Sequence, residues 1–265
     1  GLSNTETGWG RAGETWSFLS ELERLGLETW FRLGDKDLAV HLYRTNALRA
    51  GRSLSAITAE LAERFGVAAE IIPMSEDRVR TVLDTDAGTL AFQDYFVRRR
   101  CEPAVSRILF EGAERAQPSA RFADLLQKRE LGGIVICPSN PFLSIGPILS
   151  LTGVADALAR AAAPVVAITP IVGGDAIKGP TAKIMRELGL AVSPAAVAEH
   201  YRSFIDGFIV DAADESLAPS IAASGVAVKV ANTVMRTQAD RIALARTTVD
   251  FVAALRADRS RTAGP

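Results

Sequence analysis

A loop that follows an apolar run in the second half of the sequence carries side chains suited to holding phosphate. It covers residues 138–147 and supplies the hydroxyls of Ser139 and Ser144, the amide of Asn140, and Gly146. In open α/β sheets, backbone N–H groups and helix N-termini beyond the carboxyl ends of strands bind such anions. These four residues are therefore candidates for contact with a diphosphate.

A second loop, residues 170–180, follows the next apolar run. Its Gly173 and Gly174 permit close approach of the backbone, and Lys178 can neutralise phosphate charge. Either loop alone is equally well interpreted as an ordinary strand-to-helix connection. Two such loops after consecutive strands favour a phosphate site. Neither matches a P-loop or the G-x-G-x-x-G fingerprint, which counts against a standard NTPase or dehydrogenase.

A third segment places two carboxylates in front of a predicted helix. Asp35 and Asp37 flank Lys36 directly after a glycine, and carboxylates at this spacing can hold Mg²⁺ or accept a proton from a hydroxyl. Aspartates at a helix N-terminus are also routine caps. His41 lies four residues past Asp37 on the same helix face, where it could contact a ligand, although a lone histidine is more often structural.

The remaining reactive side chains do not form a known catalytic pattern. The sequence has two histidines, far apart, so a zinc site built on them is improbable, and Cys137 is interpreted as a buried strand residue. No G-x-S-x-G elbow is present, which disfavours triad hydrolysis. Arg98 begins a run of three arginines at the end of a predicted hairpin. That run is either a solvated strand edge that discourages aggregation or a clamp for phosphate or carboxylate.

Short apolar runs in the second half predict the elements that position these loops. The runs cover residues 133–138, 163–170, 206–211 and 226–230. Helical segments are predicted at 148–162, 180–188, 217–224 and 237–255, with a polar tail after the last. Continuous apolar runs are typical of strands buried on both faces. Alternating strands and helices predict an α/β fold: a Rossmann-like, mostly parallel sheet with helices on both faces.

The first half predicts a different arrangement. Helices are expected at 14–25, 38–50 and 54–65, the last with Ser53 as its N-cap, followed by a hairpin of strands 78–83 and 89–97 with a five-residue loop. The sheet is expected to resume near Val105. The resulting division is a nucleotide-binding core of residues 1–37 and 105–265 with an inserted α+β lobe of residues 38–104.

Composition limits the class of protein. The 265 residues are 48% hydrophobic, and 30 Lys and Arg balance 31 Asp and Glu. This balance argues against a nucleic-acid binder, because phosphate backbones select a basic surface. No apolar stretch reaches the roughly 20 residues of a membrane span. Two cysteines cannot form a disulfide framework, which predicts a reducing cytoplasm.

Several motifs together resemble one family, the 2-phospho-L-lactate (phosphoenolpyruvate) transferases of coenzyme F420 biosynthesis. The matching segments are Gly8-Trp9-Gly10 and residues 30–41, 92–98, 138–147, 170–174 and 178–179. They occur in the family's order over nearly the whole chain. The family normally begins with a strand and a glycine-rich loop, which would precede Gly1 here. Since the sequence opens without an initiator methionine, the expectation is that it is a fragment, the ordered part of a longer chain, or a member that lacks this region.

The resemblance implies a reaction and roles for the candidate residues. A phosphorylated three-carbon acid, lactyl or enolpyruvyl, moves from a guanosine diphosphate-linked donor to the ribityl hydroxyl of the deazaflavin Fo, GMP leaves, and Mg²⁺ assists. Asp35 and Asp37 would be catalytic and would hold the metal. The deazaflavin would contact Arg32, Lys36, His41 and Arg98, and the nucleotide would contact Ser139, Asn140, Ser144, Gly146, Gly173, Gly174 and Lys178. The family further implies a homodimer.

A non-catalytic alternative shares part of this pattern. Nucleotide-sugar-binding regulators of the related gluconeogenesis-factor family have a similar sheet and a similar Ser-Asn-Pro loop. The segment from Gly34 to Asp37 and the arginines after the hairpin favour the transferase.

Overall fold

The computed structural model describes residues 10–262, and the side chains of residues 10–259. Of the Gly8-Trp9-Gly10 motif, Gly8 and Trp9 lie outside the described residues. The first half contains α1 (Ser17–Arg24), α2 (Asp35–Arg49), α3 (Leu54–Arg64), β1 (Arg80–Thr85), β2 (Gly88–Ala91) and β3 (Val105–Glu111). A π-helical turn, Asp94–Arg98, lies between β2 and β3.

The second half alternates strands and helices. It contains α4 (Ala120–Gln127), β4 (Ile134–Ile136), α5 (Gly146–Leu149), α6 (Val154–Ala159), β5 (Val165–Ile168), β6 (Ile171–Val172), β7 (Asp175–Ala176), α7 (Thr181–Glu187), α8 (Pro194–Tyr201), β8 (Gly207–Asp211), α9 (Ala218–Ala222), β9 (Ala227–Ala231) and α10 (Gln238–Thr262). A π-helical turn, Pro141–Ile145, precedes α5, and a 3₁₀ segment, Ala212–Leu217, follows β8.

The four apolar runs form one parallel sheet, as the sequence predicts. Its strand order is β4-β5-β8-β9, and each neighbouring pair is parallel. Every residue of β5 and β8 is buried. Because all four strands run the same way, the loops that follow them emerge at one edge of the sheet.

Helices cover both faces of this sheet, which confirms the predicted fold class. On one face, Leu244 and Val252 of α10 pack against Val166, Ile168 and Ile209. On the other face, a larger core of side chains from α6, α8 and α9 packs against β5 and β8. The parallel sheet is therefore the middle layer of three.

Helix boundaries in the second half differ from the predictions in three ways. The helix predicted at 148–162 is two short helices, because Gly153 interrupts it with φ +80°. The tail predicted after residue 255 is wrong, since α10 continues to Thr262. The sequence reasoning also missed α4 and α8. Ser193 marks the start of α8, where its hydroxyl oxygen accepts a hydrogen bond from the N–H of Ala196 at 3.1 Å.

The helices of the first half are confirmed, and their caps are specific. The N-cap prediction for Ser53 is correct, since its hydroxyl oxygen accepts a hydrogen bond from the N–H of Ala56 at 3.2 Å. Glu76 adds a second cap from a distant loop: its carboxylate accepts from the N–H of Leu54 at 2.6 Å. Of the described helices, none is both long and apolar enough to cross a membrane.

The predicted hairpin exists, but its second strand is shorter than predicted. β1 and β2 pair in antiparallel fashion with Thr85 opposite Gly88. The chain then enters the π-helical turn, so the arginine run that begins at Arg98 ends a helical turn and not a strand. The prediction that the parallel sheet resumes near Val105 is also wrong, since β3 pairs with β1 in a separate antiparallel sheet of order β2-β1-β3. The division at residues 38 and 105 stays a prediction.

Contacts between β3 and α7 join the antiparallel sheet to the parallel one. The carboxylate of Glu187 accepts a hydrogen bond from the N–H of Val105 at 3.0 Å, and Lys183 donates to the carbonyl of Pro103 at 2.7 Å. Lys183 and Glu187 also form an ion pair one helical turn apart. Helix α7 is thereby tied to the start of β3 and to the loop before it.

Candidate functional site

A cavity of about 270 Å³ opens at the carboxyl edge of the parallel sheet. Its walls come from the loop after β4, the loop after β5, the segment between β7 and α7, the loop after β9, and the start of α10. The lining residues are Pro138, Ser139, Asn140, Thr169, Pro170, Val172, Ile177, Lys178, Thr181, Thr233, Val234, Met235 and Arg241. This is where parallel α/β sheets bind ligands.

Asn140 both shapes the first loop and offers a free donor. Its Oδ1 accepts hydrogen bonds from the N–H groups of Phe142 and Leu143, each at 2.9 Å, and so caps the π-helical turn. Its Nδ2 is buried without a partner among the described residues. An unpaired buried donor costs free energy, so this amide nitrogen is suited to bind an acceptor atom in the cavity.

The charged residues of the cavity wall are both cations. Lys178 arrives from the segment after β7, and Arg241 from the first turn of α10. Both are exposed, and neither forms an ion pair within the described residues. The lining contains no aspartate or glutamate. Two cations without a neutralising carboxylate select an anionic ligand.

The structure brings three of the predicted nucleotide residues to this cavity: Ser139, Asn140 and Lys178. Gly173 and Gly174 instead form the turn of the β6–β7 hairpin, with φ +60° and +78°. Such a two-residue turn needs positive φ at both positions, which glycine adopts without strain. Their contact with a phosphate stays a prediction.

Gly146 and Ser144 also lie outside the cavity lining. A Cβ added to Gly146 would lie 2.8 Å from Cζ of Phe110, so glycine is needed there for packing between α5 and β3. Ser144 is exposed on the π-helical turn, where its N–H donates to the carbonyl of Asn140 at 3.0 Å. Their contact with the nucleotide stays a prediction.

Sequence reasoning missed the part of the cavity formed by the last strand and last helix. Thr233 follows β9, and Arg241 lies in α10. The hydroxyls of Thr169 and Thr181, which also line the cavity, were missed as well. The available signal was topological, because a residue just past the fourth parallel strand must reach the same edge as one just past the first.

The acidic segment lies elsewhere and makes two reciprocal helix caps. The carboxylate of Asp35, on α2, accepts from the N–H groups of Ser17 and Phe18 at the start of α1, both at 3.2 Å. In return, Glu14 accepts from the N–H of Lys36 and of Asp37, both at 2.9 Å. The two helix N-termini therefore stabilise each other through exchanged carboxylates.

The contacts of Asp35 favour its ionised form. The hydroxyl of Thr15 donates to Oδ2 at 2.6 Å and is the main cause that lowers the pKa of Asp35, with the Phe18 and Ser17 N–H groups adding to it. Asp37 accepts from the N–H of Arg11 at 3.3 Å. Lys36 donates to the carbonyls of Ala12 and Gly13.

These carboxylates do not by themselves form a magnesium site. Both oxygens of Asp35 are engaged as caps, and no group of three or more metal-ligating side chains exists in the part of the chain that the structure describes. Magnesium usually takes one or two carboxylates and completes its shell with water and substrate phosphates.

The basic residues assigned to the deazaflavin gather near the acidic segment, with aromatic partners. The guanidinium of Arg32 lies 4.9 Å from the ring centroid of Trp16, and that of Arg98 lies 5.6 Å from the ring of Trp30. Arg98 also pairs with Glu28 at 3.2 Å. None of these residues lines the cavity described above.

His41 lies on the exposed side of α2. Its Nδ1 is 3.0 Å from a guanidinium nitrogen of Arg44. Partial burial and, secondly, the charge of Arg44 lower the pKa of His41, which favours the neutral ring at pH 7. A ligand contact of this ring stays a prediction.

The expectation that Cys137 is buried is wrong. The residue follows β4, and its side chain is exposed. It lines a shallow groove beside the cavity together with Val135 and Met235. The short strand β4 is at the sheet edge, where only one neighbour covers it.

Comparisons with known proteins agree on one family. The family model described as 2-phospho-L-lactate transferase CofD matches residues 2–249. A phosphoenolpyruvate transferase of Kitasatospora aureofaciens is 40% identical over 91% of this chain and 77% of its own length. A 2-phospho-L-lactate transferase of Methanocaldococcus jannaschii is 33% identical over 96% of this chain and 81% of its own length.

A solved structure shares the fold. Protein BH3568 of Bacillus halodurans superposes with a TM-score of 0.57 at 14% sequence identity, over 90% of this chain and 79% of that one. This structure shows the fold alone, whereas the family model and the transferase relatives identify the family. The chain belongs to the 2-phospho-L-lactate transferase family.

Proposed function

We propose that this protein transfers a phospholactyl or phosphoenolpyruvyl group from a guanosine diphosphate-linked donor to the deazaflavin Fo. The products are GMP and F420-0 or dehydro-F420-0. The observation that carries the proposal is the cavity at the sheet edge, where Lys178, Arg241 and the free Nδ2 of Asn140 line a space without carboxylates. Such a lining suits a diphosphate, and the relatives of this chain are transferases.

The chemistry asks the protein mainly to position charge. The ribityl hydroxyl of Fo bonds to the phosphorus next to the three-carbon acid, and the bond from that phosphorus to the GMP oxygen breaks. The hydroxyl proton leaves to water or a nearby base. Lys178 and Arg241 offset the charge that collects on the leaving GMP, and Asn140 donates a hydrogen bond to a diphosphate oxygen. No nucleophilic side chain is needed.

Asp35 and Asp37 are the family-implied candidates for the base and for a magnesium ligand. The cap contacts of Asp35 and the bond from the Arg11 N–H to Asp37 favour a structural role, and neither residue lines the cavity. Mg²⁺ dependence remains part of the proposal: EDTA should abolish product formation, and added Mg²⁺ should restore it. Activity that persists in EDTA would contradict the Mg²⁺ dependence but not the transfer reaction.

The homodimer is proposed on the same resemblance. Light scattering of the purified chain should give twice the monomer mass at micromolar concentration. A single monomer mass across the concentration range would reject it.

The main experiment is a coupled product assay. The chain is mixed with Fo, a guanosine diphosphate-linked lactyl or enolpyruvyl donor, and Mg²⁺. We expect GMP by liquid chromatography and an equal amount of the F420-0 product by mass spectrometry. The matched control is heat-denatured protein with the same substrates. If the native chain produces neither compound, the proposed activity is wrong.

The relatives' names do not support the non-catalytic regulator. A competition experiment distinguishes the two hypotheses. If the chain is the transferase, a UDP-sugar should not displace a bound guanosine nucleotide from the cavity.

A further inference from the structure

Strand β8 ends next to the cavity in two buried carboxylates that no assigned role explains. Asp211 is the last residue of the strand and 6% exposed, and Asp214 lies in the 3₁₀ segment that follows and is 8% exposed. Neither lines the cavity directly. Buried carboxylates are uncommon unless their oxygens are satisfied, so their partners indicate what they hold in place.

Asp211 holds the wall formed after β9. Its Oδ2 accepts from the N–H of Thr233 at 2.7 Å and from its hydroxyl at 2.8 Å. Its Oδ1 accepts from the N–H of Ala213 at 3.0 Å. Thr233 is a cavity residue, so this carboxylate fixes one part of the wall.

Asp214 holds another wall, through a single bond to the β6–β7 hairpin. Its Oδ2 accepts from the N–H of Gly173 at 2.8 Å. The hairpin has only two residues in each strand, with Ile171 opposite Ala176. A two-stranded hairpin is marginal on its own even when longer. The fully buried Ile171 anchors its first strand, and the bond from the Gly173 N–H to Asp214 holds its turn. Lys178 lies two residues after Ala176, the last residue of the hairpin.

We propose that Asp214 is a positioning residue for the donor's diphosphate. By accepting from the Gly173 N–H, it fixes the hairpin and thereby the place of Lys178 against the phosphates. Asp211 fixes Thr233 in the same way. The two carboxylates at the end of β8 therefore position both the loop after β9 and the β6–β7 hairpin. The inference rests on the proposed function, since the diphosphate is the ligand it concerns.

The test compares Asp214→Ala with Asp214→Asn in the full chain. The alanine variant loses the acceptor, and we expect the KM for the guanosine donor to rise about tenfold, as for loss of a charge-assisted hydrogen bond. The KM for Fo should stay within about twofold. Asparagine keeps an acceptor oxygen at the same place and should restore the donor KM.

Asp175→Ala is the matched control. Asp175 is an exposed carboxylate in the same hairpin, and among the described residues its side chain accepts a hydrogen bond only from the N–H of Ala176, at 2.8 Å. The donor KM of this variant should equal that of the unaltered chain. If Asp214→Ala does not fold, Asp214→Glu keeps the charge while shifting the oxygens by one methylene, and it should raise the donor KM in the same direction.

Two results would overturn the inference. One is a donor KM that is the same in Asp214→Ala, Asp214→Asn and Asp175→Ala. The other is an equal rise in the KM for both substrates, which a general structural defect produces. Hydrogen exchange of residues 171–178 gives a readout independent of catalysis, and we expect faster exchange in Asp214→Ala only. If the unaltered chain releases no GMP, the proposed function fails, while hydrogen exchange still decides whether Asp214 holds the hairpin.

Discussion

Two cations reach one cavity from distant parts of the chain. Lys178 follows a small hairpin, and Arg241 lies on the first turn of the long C-terminal helix. Both are exposed, so each interaction with a ligand is weakened by water and salt. A diphosphate that contacts both at once would gain from each, because both side chains line the same cavity.

Removing either charge should weaken nucleotide binding. We expect Lys178→Ala and Arg241→Ala each to raise the Kd for GDP about tenfold, as for loss of a charge-assisted hydrogen bond. Isothermal titration at two salt concentrations measures this, and the deficit should shrink as salt rises. Lys128→Ala, an exposed lysine at the end of α4, is the control. Unchanged GDP affinity in both variants would show that this cavity is not the nucleotide site.

Asp211 gives the fold a pH dependence of known sign. Burial alone would raise the pKa of this carboxyl, but hydrogen bonds from Ala213, Thr233 and Val234 outweigh it, and the pKa is lowered. A carboxyl with a lower pKa in the folded state stabilises the fold above its unfolded pKa. That stabilisation is lost as pH falls through the folded pKa.

Asp211→Asn should therefore matter less in acid. We expect the difference in unfolding free energy between the unaltered chain and this variant to be constant from pH 7 to 5. It should shrink below about pH 4, where the carboxyl begins to protonate in the unfolded state. Urea unfolding at several pH values measures it, with Asp175→Asn as the exposed comparison. A difference that stays the same down to pH 3 would contradict this account.

At the scale of elements, the turn after β4 is held from both ends. Asn140 caps its start, and Gly146 ends it against Phe110 of β3. The turn thus depends on a contact with the antiparallel sheet. The backbone of Gly146 is helical, with φ −51°, so its requirement for glycine arises from packing and not from conformation.

Gly146→Ala should therefore destabilise the protein. The new methyl group would meet Cζ of Phe110 at 2.8 Å and the carbonyl of Pro141 at 3.3 Å. Overpacking of this kind costs about 1–3 kcal/mol. Chemical unfolding measures the loss, and Phe110→Leu in the same background should recover part of it. Gly132→Ala, where nothing lies within 4 Å of the added carbon, should be close to neutral.

Elements with strong local signals could be predicted from sequence. Apolar runs identified the four parallel strands, and Ser53 marked the start of α3. The failures have physical causes. The helix at 148–162 breaks at Gly153, whose positive φ no periodicity reveals. The segment after β2 is rich in aromatic residues like a strand, yet it winds into a π-helical turn that buries Tyr95 against Leu83 and Ile184.

At the scale of the whole molecule, the fold assembles a site that is dispersed along the chain. Ser139, Asn140 and Lys178 were predictable because each lies in a loop with polar side chains after a strand. Arg241 was not, because only the packing of α10 across the sheet brings its first turn to the cavity. The acidic segment was identified by type and spacing, yet in the structure Asp35 caps the start of α1 and Asp37 accepts from the N–H of Arg11.

Ligand binding at this edge should stabilise the whole chain. A nucleotide that contacts loops from several strands binds only the folded state, and at about 100 times its Kd it adds about 2.7 kcal/mol to the free energy of unfolding. We expect GDP to raise the Tm in a concentration-dependent way. A UDP-sugar at the same concentration is the control. A larger shift with the UDP-sugar would favour the regulator over the transferase.

The exposed thiol beside the cavity offers a natural attachment point for a fluorescent label. Cys137 is exposed, and its groove shares Pro138, Met235 and Arg241 with the cavity. The second cysteine, Cys101, is half-buried, and burial raises its thiol pKa, which disfavours the reactive thiolate. A maleimide fluorophore should attach selectively at Cys137. Its emission would then follow nucleotide entry in real time, without any engineered residue.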